Sequence, residues 1–301
     1  MKDLTYSKLN LLVAYPYFSQ KIRETLSKHD PDTFRLIIDS GAFSAWNSRK
    51  VIEFEDYCRF LDTIPSHWDY KAVQLDVFGD PVKTLENYYR MLDKGYDYVM
   101  PVFTRGDSLE TLESLYKNTD YIMFGGIVVG GKNTNYIKWF TEQNKDRKVH
   151  WLGYNNTEFI KHFKPTSVDS TAWNNGQKYG ALDLYKGFGT FVNTTRKDWI
   201  EKPTDRMIKL VSQLGIEPKH YKKLGYKEAW QGGGHHYTTD TNEFDGNLRG
   251  LSTCIQTRSH LKRGLDIEKN LGTKVYFAVG NNSQINVLFM SINELKKRKL
   301  N

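Results

Sequence analysis

Residues 72–103 read AVQLDVFGDPVKTLENYYRMLDKGYDYVMPVF, and this stretch carries the main clue to the fold. Its two ends, AVQLDV (72–77) and YVMPVF (98–103), are short apolar runs of strand character. Between them, apolar residues recur at three- and four-residue intervals, the period of a helix with one buried face. Asp80-Pro81 supplies an N-cap followed by proline at the first helical position, and Gly95 stands where a helix C-terminus favours glycine. The unit is strand, helix, strand.

The same alternation extends in both directions. LLVAY (11–15) and FRLIID (34–39) precede it, and YIMFGG (121–126), VHWLGY (149–154) and TSVDS (166–170) follow. FEDYCRFLDTI and SLETLESLYKN are further helical segments, the second opened by Ser108 before a glutamate-containing first turn. Strands that alternate with helices and read as nearly continuous apolar runs belong to a parallel sheet covered on both faces. VYFAV (275–279) supplies an eighth strand. The segment after it carries Ile285, Leu288, Phe289, Ile292 and Leu295 on one helical face. The expected fold is therefore α/β, a (β/α)8 TIM-like barrel forming a single catalytic domain over 1–301. A basic insertion at about 179–270 contains one clear amphipathic segment, DRMIKLVSQLG, and a strand and helix at about 275–299 close the barrel.

The bulk composition narrows the function. Lys and Arg number 43 against 35 Asp and Glu, a net charge of +8 that favours polyanionic partners. The two cysteines, Cys58 and Cys254, can build neither a disulfide framework nor a thiolate zinc site, which fits a reducing cytoplasm. No stretch reaches the roughly 18 apolar residues of a membrane span, and the N-terminal run has no cleavage pattern, so neither export nor anchoring is expected.

In a barrel of this kind, function sits at the C-terminal ends of the strands. Those ends carry Asp39-Ser40-Gly41, Asp76, Phe103-Thr104, Gly125-Gly126, Gly153-Tyr154 and Asp169-Ser170. Asp39 and Asp169 each follow buried apolar residues, and Asp76 in QLDV either contacts a ligand or organises neighbouring loops. Two carboxylates facing one substrate suit displacement at a sugar anomeric carbon, one attacking and one handling protons, about 5 Å apart in a retaining mechanism. Gly125-Gly126 with Gly130-Gly131 match no phosphate-binding fingerprint and suit close approach to a flat base. His235-His236 lacks a third ligand at sensible spacing and reads as loop. Phe43 is placed to stack on a base. Arg258, Lys262 and Arg263 are candidate phosphate contacts, whereas Lys296-Lys297-Arg298-Lys299 reads as a helix C-terminus.

Taken together, DSGAFSAW (39–46), QLDVF (74–78), FGGIVVGG (124–131), HWLGY (150–154) and SVDSTAW (167–173) resemble the tRNA-guanine transglycosylase superfamily, and within it the bacteriophage DNA 7-deazaguanine transglycosylases. The resemblance covers about residues 34 to 175. It implies an enzyme that exchanges guanine in a polynucleotide for a free 7-deazaguanine. In that reading Asp169 is the nucleophile at C1′ and Asp39 the general acid/base. Ser40 and Gly41 lie beside the base, Phe43 stacks on it, Asp76 binds its amino and ring-nitrogen edge, and Gly126 offers backbone contact. This sequence also departs from the tRNA-modifying relatives. It lacks the cysteines of their structural zinc site, so zinc is expected to be absent and no cofactor is implied. Pro101-Val102-Phe103 replaces a glutamine-bearing strand, and Ala172-Trp173-Asn174-Asn175 replaces arginines after the nucleophile. These departures favour DNA over tRNA as partner, with tRNA the alternative. A non-catalytic nucleic-acid binder and a glycosidase acting on free carbohydrate are the other classes of reading.

Overall fold

The structure, a computed structural model, describes residues 8–127, 134–174, 180–216 and 248–297. The chain forms two compact units. One comprises Ser7–Ser170 with Leu271–Asn282, and the other is built from Thr171–Asn270 and Ser283 onward. The expected insertion therefore begins at Thr171 rather than near 179, and the terminal helix groups with it instead of with the barrel.

The first unit is the barrel. Its parallel sheet has the order β4-β3-β2-β1-β11-β8-β7-β6-β5. In chain order these are β1 (Leu9–Ala14), β2 (Phe34–Asp39), β3 (Tyr70–Val73), β4 (Val99–Met100), β5 (Val102–Phe103), β6 (Tyr121–Phe124), β7 (Lys148–Trp151), β8 (Ser167–Ser170) and β11 (Lys274–Val279). The two ends of the sheet, β4 and β5, are halves of the single run YVMPVF. Pro101 has no N–H to give to the ladder and splits that run in two. The ladder bridges the break on both sides: Gln74 N donates to Met100 O at 3.0 Å, and Met123 N donates to Pro101 O at 2.8 Å. Nine ladder segments thus make eight strands around a (β/α)8 TIM-like barrel, and VYFAV closes it by pairing with β1 on one side and β8 on the other.

Strand parity sorts the side chains. Leu11, Val13, Leu36 and Ile38 are fully buried on the outward face of β1 and β2. Leu12, Ile37, Val73, Met100, Val102, Met123 and Tyr276 form one cluster. In the ladder Leu12 pairs with Ile37 and with Ala278, and Tyr276 with Asp169, so this alternate set shares the barrel interior. The flanking helices start at capping residues, Asp80 and Ser108 as expected and Ser19 and Asn156 in addition. Ser19, Asp80, Ser108 and Asn156 accept backbone N–H bonds at the N-termini of α1 (Gln20–Leu26), α4 (Pro81–Asp93), α5 (Leu109–Tyr116) and α7 (Thr157–Phe163). Gly95 follows α4 at φ +89°.

The second unit contains the antiparallel hairpin β9 (Ala181–Gly187) and β10 (Thr190–Thr195). Phe188 and Gly189 turn it, both at positive φ, as a two-residue hairpin requires. It also holds most of a helix, Leu248–Leu271, that periodicity did not reveal. Ser252, Thr253, Gln256, Thr257, Arg258, Ser259, His260 and Arg263 are all buried along it, which hides the apolar stripe. Several of these polar groups find partners inside the unit. Asp183 accepts hydrogen bonds from Gln256 at 2.8 Å and His260 at 3.1 Å, and Arg258 donates to Leu214 O. The amphipathic segment DRMIKLVSQLG forms Asp205–Ser212, capped by Thr204. Among the described residues, no helix is long and apolar enough to cross a membrane.

Truncating the interior should be costly. Leu12→Ala and Met123→Ala are expected to lower stability by about 2–5 kcal/mol each, whereas Val51→Ala, at a residue 82% exposed, stays within about 0.5 kcal/mol. Urea denaturation measures both.

Candidate active site

Two buried strands bring the catalytic candidates to one mouth. Asp39 ends β2 at a position paired with Ala14, and Asp169 sits in β8 paired with Tyr276. Both share the parity of the interior cluster, so their side chains head into the barrel at its C-terminal rim, where the β-to-α loops converge.

Asp39 is held by its own turn: Gly41 N donates to its Oδ1 at 2.7 Å. Burial, and then the neighbouring carboxylates Asp76 and Asp169, push its pKa up to about 7 against the opposing Gly41 hydrogen bond. A carboxyl poised there can donate and accept a proton at neutral pH, as general acid/base chemistry requires. Gly41 serves structure directly. It lies at φ +80°, and a Cβ there would come 2.3 Å from Pro16 Cδ, so its close approach is to the loop after β1.

Asp76 lies three residues beyond the end of β3. Burial raises its pKa, opposed by the Ser40 hydroxyl, which donates to its Oδ1 at 2.5 Å. Ser40 also accepts from Ala42 N, so two expected base contacts, Ser40 and Asp76, hold one another and stitch the β2 turn to the β3 loop.

Asp169 is 6% exposed. Its Oδ1 accepts from Gly153 N at 2.8 Å and is bonded to His150 Nε2 at 3.1 Å. Among the described residues no donor meets Oδ2. Among the described residues, then, one oxygen is anchored and the other is without a donor, an arrangement that suits a carboxylate nucleophile.

Phe43 is 48% exposed on α2 (Ala42–Asn47), directly after the Asp39 turn. Its ring centroid lies 5.7 Å from that of Phe78, which packs 4.4 Å from Trp46, itself 53% exposed. Three aromatic rings therefore cluster on the segments that follow Asp39 and Asp76, where the sequence reading selected Phe43 alone. Gly125 and Gly126 end β6. A Cβ at 125 would lie 3.0 Å from Val102 Cγ1, and Gly126 adopts φ +71°, so packing and backbone conformation already require both glycines.

The mouth thus gathers Asp39, Ser40, Gly41, Asp76 and Asp169. Arg258 and Arg263 belong to the second unit and are 2% and 3% exposed, with Arg263 5.9 Å from the Phe191 ring centroid, while Lys262 is half-buried. Guanidinium groups buried in their own unit give no support to phosphate contact. Gly130-Gly131, Asn175, His235-His236 and Arg298-Lys299 lie outside the described residues. Sequence reasoning also missed His150. Its signal was a histidine in the apolar run VHWL at the same interior parity as Ser167 and Asp169. Among the described residues, no group of three His, Cys, Asp or Glu side chains could hold a metal ion.

Fold and site together define a (β/α)8 barrel with a cluster of three carboxylates at its C-terminal mouth. Comparison with known proteins found no matching family model, no matching curated protein and no matching solved structure.

The raised pKa of Asp39 carries a sign that stability can test. Its folded-state value of about 7 exceeds the ordinary 3.8, so its favourable contribution is complete below about pH 4 and is lost as pH rises through 7. Asp39→Asn keeps an acceptor for Gly41 N without the buried charge. The melting temperature of the variant relative to the native protein should therefore rise between pH 5 and pH 8, by about 2–4 °C for each kcal/mol of relieved repulsion. A constant difference across that range would show that Asp39 does not titrate near neutrality.

Proposed function

We propose that this protein is a base-exchange transglycosylase that replaces guanine in DNA by a free 7-deazaguanine through a covalent intermediate on Asp169. The observation that carries the proposal is the pairing of two differently prepared carboxylates in one mouth. Asp169 has one oxygen anchored and the other without a donor among the described residues, and Asp39 is tuned to about 7. Environments that split two carboxyls in this way assign nucleophile and proton carrier.

Asp169 Oδ2 attacks C1′ of the target nucleoside as the C1′–N9 bond breaks, and protonated Asp39 gives its proton to the departing guanine. The incoming 7-deazaguanine then loses its N9 proton to Asp39 and attacks C1′, which breaks the ester and frees Asp169. One N-glycosidic bond replaces another, so the exchange as written requires no redox or energy cofactor. The electron-poor sugar of the transition state gains from the negative charge of the Asp169 carboxylate. Phe43 stacks on the heterocycle, Asp76 accepts from its amino and ring N–H edge, and the backbone at Gly125 and Gly126 lies against the ring. A base within a duplex cannot present C1′ to a barrel mouth, so the nucleotide is flipped out or taken from a single strand. Unstacking costs a few kcal/mol, which aromatic stacking at about 1–3 kcal/mol per base offsets. The net charge of +8 suits a polyanionic substrate.

The test incubates the protein with guanine-labelled DNA or labelled tRNA and a free 7-deazaguanine. Guanine release from DNA is expected from the native protein, with a loss of about 10⁴-fold or more in Asp169→Asn, comparable to losing a covalent nucleophile elsewhere. Release from tRNA alone would move the same chemistry to the other polymer. Release from neither would defeat the exchange reading.

A further inference from the structure

We propose that His150 is a positioning residue for Asp169, the last link of a one-way hydrogen-bond chain, Tyr121 to Ser167 to His150 to Asp169, that decides which carboxylate oxygen attacks. The inference rests on the base-exchange reading for its kinetic consequence and on the barrel interior for its geometry.

The four residues come from three adjacent strands, β6, β7 and β8. The ladder places them on one face, with Met123 paired to His150 and His150 paired to Ser167. His150 and Ser167 are fully buried, and Asp169 is nearly so. The Tyr121 hydroxyl contacts Ser167 Oγ, which in turn contacts His150 Nδ1, and Nε2 on the far side of the ring meets Asp169 Oδ1 at 3.1 Å. The Tyr276 ring lies edge-on to the imidazole, with centroids 5.7 Å apart, and holds its plane.

Counting protons gives the chain its direction. An ionised Asp169 only accepts, so Nε2 carries the hydrogen. A neutral imidazole protonated there has a lone pair on Nδ1, and Ser167 must donate to it. Ser167 Oγ then accepts from Tyr121. Every proton in this assignment has an acceptor. The reverse arrangement, an imidazolium donating to Ser167 and Ser167 donating to Tyr121, leaves the phenolic hydrogen with no acceptor among the described residues, which is costly for a mostly buried hydroxyl.

The consequence is geometric. Gly153 N and His150 Nε2 both converge on Oδ1 of Asp169. Together they fix the carboxylate plane and lower the negative charge on Oδ1, so attack falls to Oδ2. Without His150 the carboxylate can rotate about its single remaining anchor. Binding of the polymer does not involve this buried chain, so its loss should appear in kcat rather than KM.

His150→Leu removes the donor. It should lower kcat for guanine release by about 10–100-fold while leaving KM for the polymer within about twofold. His150→Gln places an amide N–H near the Nε2 position and should restore most of the loss, and Ser167→Ala, which removes the donor to Nδ1 together with the acceptor for Tyr121, gives an independent check if His150→Leu fails to fold. Unchanged kcat in a folded His150→Leu, or equal losses in the Leu and Gln variants, overturns the positioning role. Nitrogen NMR of the native histidines reads the chain without any activity, with His150 expected as the neutral Nε2–H tautomer and perturbed by Ser167→Ala. A Nδ1–H tautomer or an imidazolium overturns the proposed direction. A native protein that releases no guanine counts against the base-exchange reading, and the chain is then decided by its NMR signature.

Discussion

The site depends on the period of two in a closed parallel sheet. Once the ladder sets Ala14 beside Asp39 and Tyr276 beside Asp169, alternation alone sends both carboxylates inward at the same end of the barrel. A one-residue slip in either strand would turn its aspartate toward the helices. The apolar cluster of Leu12, Ile37, Met123 and Tyr276 guards against this, because slipping would also expel the core from the interior. Packing thus enforces the register, and the register assembles the site.

That assembly concentrates negative charge where a globular protein has little reason to place it. Asp39, Asp76 and Asp169 share one mouth, and burial together with mutual repulsion drives Asp39 far from its ordinary acidity. Local hydrogen bonds moderate the strain: Gly41 to Asp39, Ser40 to Asp76, Gly153 to Asp169. All three donors are short-range features of turns or loops, two of them backbone N–H groups that are fixed before any ligand arrives. Preorganised donors of this kind hold the carboxylates in place without any rearrangement.

The second unit solves a different problem with the same principle. Its helix Leu248–Leu271 buries an unusual number of polar side chains, and Asp183 collects two of them from across the unit. Satisfied networks of this type are specific but unforgiving, since removal of one member strands the others. Arg258 and Arg263 belong to that interior, which explains why their charge alone was a poor guide to a binding surface.

The sequence by itself determined the eight strands, most of the helices that cover them, and the strand-end carboxylates, because apolar runs, helical periodicity and capping residues are local and each is visible within a few positions. The run YVMPVF read as one strand, and the structure splits it at Pro101, whose missing N–H interrupts the ladder. Only the tertiary structure decided which groups meet. His150 looked like one polar residue in an apolar run, and the pairing of β7 with β8 made it a neighbour of Ser167 and Asp169. Trp46 and Phe78 are 32 positions apart in sequence and become ring partners through the fold. The helix at Leu248–Leu271 escaped periodicity because its polar residues are satisfied by groups distant in the chain, such as Asp183 and the Leu214 carbonyl. Local chemistry writes elements into a sequence, whereas a hydrogen bond between strands, or a carboxylate's acidity, exists only once distant residues share a dry space.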